Sequence, residues 1–492
     1  MQIGLDIGTS SVTGVVTGAD RVVRAQAQAP LQTAAPHPYW SEQFPDDWWQ
    51  ACCTVLRALL RAVPGVSITG IGLSGQMHGL VVLDRAGGVL RPAMLWNDGR
   101  AHHQAQALTK AVPDSAMLSG VPVMPGFAAP KLAWVRDHEP DVFDQIAHVL
   151  LPKDYIGHRL HGGFATDGSD AAGSGWLDQR SRQWASQILA ATGADPAWMP
   201  DVVDGTTCVG QVTAGAAAQT GLPVGVPVFS GAGDAAAGAV AVGAVEDGAG
   251  FVSLGTSGQL FVARDCYAPQ PKAMIHAYAH SVPQRWFQMA AMLNGARPMA
   301  WFAGVAQAPI ATLLDEAAKA DPARAPLFLP YLTGERSPHG DPHIRAGFVG
   351  LEDASDRGAM MRAVVEAIAF CFADARDSLG PDVLDDTPLP ALGGGAQSDM
   401  VLQGIADALG RSVARPAQAA FGPAMGAALL AAVGAGDLAR TDLSVRPKAD
   451  WVFHPDPRPD HAARLGQWRA LYQALKPLSR PNQPALLSGG AK

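Results

Sequence analysis

The sequence predicts an α/β protein made of two similar domains, and three observations carry that expectation. Its 492 residues exceed what one compact core holds, so at least two domains are expected. Strand-like stretches alternate with helical ones along the chain. One stretch also recurs about half a chain later: LDIGTSSVTGVV (5–16) matches VSLGTSGQLFVA (252–263). Asp6 aligns with Ser253, Gly8 with Gly255, Thr9 with Thr256 and Ser10 with Ser257, each 247 residues on. GTS alone is a common turn tripeptide. The matching strand context around it favours a duplicated domain over a short-repeat array.

Taken in order, residues 3–7 and 12–17 read as two strands of a hairpin turning at Gly8-Thr9-Ser10. From Asp46 the chain reads DDWWQACCTVLRALLRAV, with Trp48, Cys52, Val55, Leu56, Leu59 and Leu60 on one helical face and Asp46 or Asp47 as the cap. SITGIGLSGQMHGLVVLD gives a strand, a Gly-rich break and a second strand. GAGDAAAGAV (231–240) is Gly, Ala and Val except for Asp234. Two roles are open there: an N-cap for a helix starting at Ala235, or a catalytic carboxylate held among small residues that let a substrate approach. A helix N-terminus favours the ionised carboxylate in either case. ALGGGAQSDMVLQGIADALG (391–410) reads as strand, Gly cluster and amphipathic helix. The Pro/Gly-rich tail 479–492 is expected to be flexible.

Composition narrows the function. With 48% hydrophobic and 16% charged residues there is ample apolar material to bury. The net charge of −8 and the lack of a long basic run argue against nucleic-acid binding. No stretch of about 18 apolar residues occurs, so no membrane span is expected. MQIGLDIGTS shows no charged segment leading into an apolar one, so no signal peptide is expected and the cytoplasm is the expected location. Five cysteines, Cys52, Cys53, Cys208, Cys266 and Cys371, form no C-x-x-C pair. They read as small buried thiols and not as a disulfide framework or zinc site.

A Gly-Thr/Ser turn offers backbone N–H groups and hydroxyls to phosphate. Two such turns, one per domain and facing each other, would hold a polyphosphate across a cleft, with a Gly cluster at a helix start taking the nucleotide's other end. Asp6, next to the first turn, is placed to hold Mg²⁺ directly or through water. A Walker loop is absent, as is a Rossmann glycine motif after the first strand. Phosphoryl transfer also needs an acceptor for the nucleophile's proton, and Asp234 is the candidate.

With these pieces the chain resembles the FGGY carbohydrate kinases of the actin/hexokinase/Hsp70 superfamily, and among them those acting on D-xylulose. The resemblance runs from residue 1 to roughly 475. It rests on GLDIGTSS (4–11), HPYWSEQ (37–43), GLSGQMHGLVVLD (72–84), RPAMLWNDGR (91–100), MPGFAAPKLAW (124–134), LLPKDY (150–155) and YLTGERSPH (331–339). It implies two actin-like (ribonuclease H-like) domains flanking a central cleft, a sugar-binding domain over 1–243 and a nucleotide-binding domain over 244–478. The implied reaction is ATP- and Mg²⁺-dependent phosphorylation of D-xylulose at its 5-hydroxyl. Asp234, in the G-D-x-x-A-G segment, inherits the general base, and Asp6 the place near Mg-ATP. Met77 and His78 inherit the ketose contact. Gly255 and Thr256 take the γ-phosphate side, and Gly394, Gly395, Ala396 and Asp399 the adenosine side, while Thr9 and Ser10 belong to the first of the two turns expected to hold the polyphosphate. Trp96 is held as a wall of the sugar site.

The sequence departs from the family pattern at Ala235, where Asn commonly follows the base, and at Asp399, where Asn is common. The first leaves the choice of ketose open. The second puts a carboxylate near the nucleotide. Plainer roles stand beside the functional ones: Asp98 as a helix cap, Glu366 as a paired structural carboxylate, Trp48 and Trp49 as core, Glu335 and Arg336 as a pair near the cleft. Other classes are a kinase for ribulose or a polyol, a nucleotide-driven conformational module, and a sugar-binding protein without turnover. The sugar-side motifs and the intact Asp6 and Asp234 favour the kinase. Small-molecule ketose and ATP are the expected partners, and a homodimer is left open.

Overall fold

The computed structural model describes residues 1–380, 382–417 and 422–479. The tail expected from 479 onward lies outside the described residues from 480. Two mixed sheets organise the chain. The first contains β1 (Gln2–Ile7), β2 (Ser11–Thr17), β3 (Val23–Pro30), β4 (Gly70–Gly75), β5 (Cys208–Gln211) and β6 (Pro227–Gly233), in the order β5-β6-β4-β1-β2-β3. The second contains β7 (Gly250–Leu254), β8 (Gly258–Arg264), β9 (Ile275–Ala279), β10 (Trp286–Met292), β11 (Leu389–Leu392), β12 (Val413–Pro416) and β13 (Ala449–Phe453), in the order β9-β10-β8-β7-β11-β12-β13. Each opens with the predicted hairpin: Ile7 pairs with Val12 in the first and Leu254 with Gly258 in the second. In each, the opening strand then has a parallel neighbour, followed by a second parallel strand and an antiparallel edge. The recurrence at 247 residues is therefore a duplicated sheet topology.

Strands β1 and β4 are buried along nearly their whole length, as parallel strands covered on both faces are. On one side lies the helix Pro45–Ala62, whose Trp48 and Trp49 are completely buried in the first core with Leu5, Ile71 and Val228. On the other side, the helix Gly422–Gly434 lies directly on backbone. Gly4 and Gly72 are neighbours in register. A Cβ on them would stand 1.8 Å from the Ala424 carbonyl oxygen and 1.9 Å from that of Ala427. Gly426, in turn, meets the Ala237 carbonyl at 1.8 Å for the same added atom. Only glycine allows these approaches. The second core gathers around the helix Arg357–Leu379, and a third joins the two sheets through Met77, Phe127, Ala236, Phe261 and Tyr278.

Several local expectations change. The first helix starts at Pro45 with extended Phe44 as its cap residue, and neither Asp46 nor Asp47 caps it. Asp46 instead accepts from the Tyr155 hydroxyl at 2.9 Å and pairs with Arg159. Cys52, Cys53 and Cys371 are buried, whereas Cys208 and Cys266 are exposed. Glu366 is the paired carboxylate expected, held by Arg464 and Arg458. Among the described residues, no helix is long and apolar enough to cross a membrane.

Candidate active site

The candidate residues collect at the C-terminal ends of parallel strands, where open α/β sheets place ligand sites. Asp6 ends β1, Met77 and His78 follow β4, and Asp234 follows β6. Across the ladder Asp6 pairs with Ser74, and Ala232 and Gly233 with Ser74 and Gly75. Asp234 is the first residue of the helix Asp234–Ala241 and not its cap, which is Gly233. Its Oδ1 accepts from the Ala235 N–H at 2.7 Å. Burial raises its pKa to about 6, against that hydrogen bond. Burial, and then the charge of Asp234, raises Asp6 to about 7. One Asp6 oxygen, Oδ1, is buried without a hydrogen-bond partner among the described residues. Two crowded carboxyls with an orphaned oxygen form a donor set suited to a hard cation, and Mg²⁺ takes one or two carboxylates plus substrate phosphates.

Met77 and His78 are wedged against small residues. A Cβ on Gly233 would stand 3.0 Å from Met77 Cγ, and one on Gly173 2.8 Å from Met77 Cε and 2.9 Å from His78 Nδ1. His78 is held at φ 71°, a left-handed conformation that strains a non-glycine residue by about 1–3 kcal/mol. Its surroundings enforce it. The ring stacks on Phe127 at 4.7 Å, and Nδ1 lies 2.5 Å from the Gly173 carbonyl oxygen. A carbonyl only accepts, so Nδ1 carries the hydrogen and Nε2 is left as an acceptor. Burial lowers the ring's pKa to about 3, so it stays neutral.

Lys131 ties these loops together. Its fully buried ammonium donates to the carbonyls of His78 (2.9 Å), Met94 (3.2 Å), Leu95 (2.6 Å) and Gly126 (2.6 Å). The segments carrying Met77–His78, Trp96 and Phe127 thus share one cation. Burial lowers its pKa to about 7. Lys131→Met removes the donor from four inward carbonyls and is expected to lower stability by about 2–4 kcal/mol. Urea denaturation measures it, and a loss under about 1 kcal/mol would show that Lys131 does not hold the loops.

A second buried lysine supports the backbone before Asp234. Lys153 Nζ lies 2.5 Å from Asp154, 3.2 Å from Asp167 and 3.5 Å from Asp170. Burial alone would lower its pKa, but the three carboxylates outweigh that and keep it charged. Asp167 accepts from the Ser169 hydroxyl at 2.5 Å, and Ser169 Oγ accepts the Gly233 N–H at 3.1 Å. The backbone immediately before Asp234 is fixed by this chain.

The first turn is braced. Thr9 Oγ1 donates to Gln76 Oε1 at 2.9 Å and accepts from Trp96 Nε1 at 3.0 Å. Gln43 Nε2 donates to the Thr9 carbonyl at 2.7 Å. Trp96 is 41% exposed, a rim residue and not core. Ser10 is exposed. Asp98 is no cap: it accepts from the Ser41 N–H at 2.7 Å and pairs with Arg100 at 2.6 Å.

The second domain holds a cavity of about 960 Å³ lined by Gly255, Thr256, Gly394, Gly395, Asp399 and apolar residues including Met299 and Leu314. Ala396 is buried behind it. Thr9 and Ser10 do not line it. Asp399 is paired with Arg415 at 2.7 Å, which offsets the charge it would otherwise set near a phosphate. The turn at Gly255–Thr256 is capped by the N–H groups of Ala296 (2.7 Å, to Gly255) and Gly295 (3.1 Å, to Thr256). Glu335 and Arg336 form no ion pair with each other. Glu335 accepts from Leu293 N–H at 2.6 Å and Asn294 Nδ2 at 3.1 Å, bracing that same loop.

Gln43, Gln76, Phe127, Lys131, Lys153, Ser169 and Gly173 were not singled out from sequence. A lysine inside the apolar run AAPKLAWV was the available signal for Lys131. Nothing in the sequence pattern marks Lys153 as buried.

Known proteins resemble the chain over nearly its whole length. The model of the FGGY family of carbohydrate kinases, N-terminal domain, matches residues 1–241, and that of the C-terminal domain matches 250–435. The chain is 38% identical to a xylulose kinase of Escherichia coli (strain K12), over 97% of this chain and 100% of that one. It is 34% identical to a xylulose kinase of Bacillus subtilis (strain 168), over 88% of each. The crystal structure of a xyloylose kinase from Brucella ovis superimposes with a TM-score of 0.93 at 40% identity, covering 97% of this chain and 99% of that one.

Proposed function

The chain belongs to the FGGY family of carbohydrate kinases, and we propose that it transfers the γ-phosphoryl group of ATP to the 5-hydroxyl of D-xylulose, giving D-xylulose 5-phosphate and ADP. The observation that carries the reading is the contact of Met77 with Gly233, which sets the sugar motif beside Asp234. In this reading the nucleotide occupies the cavity next to Gly394–Gly395, with its triphosphate running to the turn at Thr256. Asp234 accepts the proton of the 5-hydroxyl as that oxygen bonds to phosphorus, and the bond from phosphorus to the β-phosphate oxygen breaks to release ADP. His78 Nε2 accepts a sugar hydroxyl, Met77 packs against the carbon chain, and Trp96 closes the rim. Asp6 would hold Mg²⁺, which would neutralise phosphate charge when bound.

The sugar-binding domain spans 1–243 and the nucleotide-binding domain 244–478. A cytoplasmic location belongs to the same reading, since ATP is the donor. Ala235 is 7% exposed and offers the sugar no polar group, so another pentulose is the alternative outcome. Coupled ADP release over D-xylulose, D-ribulose, L-ribulose, L-xylulose and glycerol tests both. D-xylulose is expected to give the highest kcat/KM. Release independent of any sugar would defeat the kinase reading, and preference for another pentulose would correct the substrate.

A further inference from the structure

The guanidinium of Arg336 has no use in the reaction as written. Its Nε–H donates to the Ala291 carbonyl at 2.9 Å, and the next residue, Ser337, accepts the Ala291 N–H at 3.1 Å, so the dipeptide is stitched to the end of β10. The remaining four N–H groups, on the two terminal nitrogens, find no acceptor among the described residues. The adjacent carboxylate does not serve them, since Glu335 faces the loop at Leu293–Asn294. Arg336 is only half-buried, so these donors stay open to solvent or to a ligand.

Its neighbours carry buried polar atoms without partners. β9, beside β10, presents His276 and Tyr278 on one face, with rings 5.4 Å apart. Both are buried, and His276 Nδ1 and Tyr278 Oη lack partners among the described residues. β9 docks on the first domain through Ala277 N–H to the Gly120 carbonyl (3.0 Å) and Ala279 N–H to Gln179 Oε1 (2.9 Å). Tyr278 belongs to the same buried cluster as Met77 and Phe127. Burial, then the charge of Arg336, lowers His276, and Arg336 also contributes to the lowering at His78. Ala291, which Arg336 bonds, lies in that cluster too, so the second domain sets a guanidinium with free N–H groups, and two rings each carrying one unpartnered polar atom, beside the cluster that holds Met77.

We propose that Arg336 binds the ketose from the second domain, its free N–H groups donating to sugar oxygens on the side opposite His78. A planar fork of donors suits neighbouring oxygens on a polyhydroxylated chain, and the neutral His78 supplies the acceptor that Arg336 cannot. Glu335 braces the loop over Gly255–Thr256, so adjacent residues serve the sugar and the phosphate turn. The inference rests on the sugar-kinase reading above.

Arg336→Met and Arg336→Lys test it, assayed with D-xylulose and ATP varied separately. Loss of a charge-assisted contact predicts a ketose KM raised about 10- to 100-fold in Arg336→Met, with the ATP KM within about twofold of the parent. Arg336→Lys keeps the charge but loses the fork, and a smaller rise is expected. A folded Arg336→Met with an unchanged ketose KM, or with both KM values raised alike, overturns the inference. If Arg336→Met does not fold, Arg336→Lys decides by the same two criteria. A parent that phosphorylates no ketose overturns the kinase reading and this inference with it, whereas an active parent with an unaffected variant overturns this inference alone.

Discussion

Asp234→Asn is expected to phosphorylate D-xylulose at least ~10²-fold more slowly than the parent while still binding ketose and ATP. The amide keeps the shape and the place at the head of the helix but cannot accept the hydroxyl proton. Because the carboxyl titrates near 6 in the folded protein, the parent's kcat/KM should fall as pH drops below about 6, and that limb should vanish in the variant. Stability should move the other way. The folded pKa lies above the ordinary value of an aspartate carboxyl, so between about pH 4 and 6 the native state binds more protons than the unfolded chain. Stability is therefore lost as pH rises through that window, by about 3 kcal/mol at most for a shift of this size. Asp234→Asn escapes the loss, and its melting temperature relative to the parent should rise from pH 4 to pH 7. Near-parental turnover would remove Asp234 from the chemistry and leave it a helix-end residue.

Asp6→Asn is the second large effect. The substitution leaves the strand register untouched but takes away the carboxylate with the orphaned oxygen. Turnover is expected to drop by about 10²–10³-fold at millimolar Mg²⁺, in line with the loss of one preorganised electrostatic group. Ketose binding, followed by ligand-induced thermal shift, should stay within a few-fold of the parent. Titrating Mg²⁺ separates the roles: a metal ligand predicts that the variant needs much more Mg²⁺ to approach its own maximum. An unchanged Mg²⁺ dependence, with turnover within a few-fold of the parent, would rule Asp6 out as a ligand.

What sequence reading reached and missed has a physical pattern. The hairpins at Gly8–Ser10 and Gly255–Ser257, the helix carrying Trp48 and the strand before Gly393 follow from local periodicity and turn chemistry, and the structure contains them. Asp6, Met77, His78 and Asp234 fall together because each lies at the end of a strand or follows one in a single parallel set; the repeat marks Asp6, while Met77 and His78 come only from the family resemblance. Lys131 reaches carbonyls up to 53 residues away, Arg336 one 45 residues away and Lys153 carboxylates up to 17 residues away, and no periodicity marks these partners. Capping failed at Asp46 and Asp98 because tertiary partners, Tyr155 and Ser41, claimed the side chains. Asp399 looked repulsive only because Arg415, sixteen residues on, was not foreseen as its partner.

The glycine contacts between the helix Gly422–Gly434, strands β1 and β4 and the helix Asp234–Ala241 decide how freely that block can shift within itself. Gly4, Gly72 and Gly426 bring main chain against main chain. A slip by a fraction of a turn would carry a neighbouring side chain into the space that only a missing Cβ leaves beside the Ala424, Ala427 or Ala237 carbonyl. The seam is therefore a register lock that resists shear. Asp234 begins one of the locked helices, so its place relative to β1 and β4 is held by that lock.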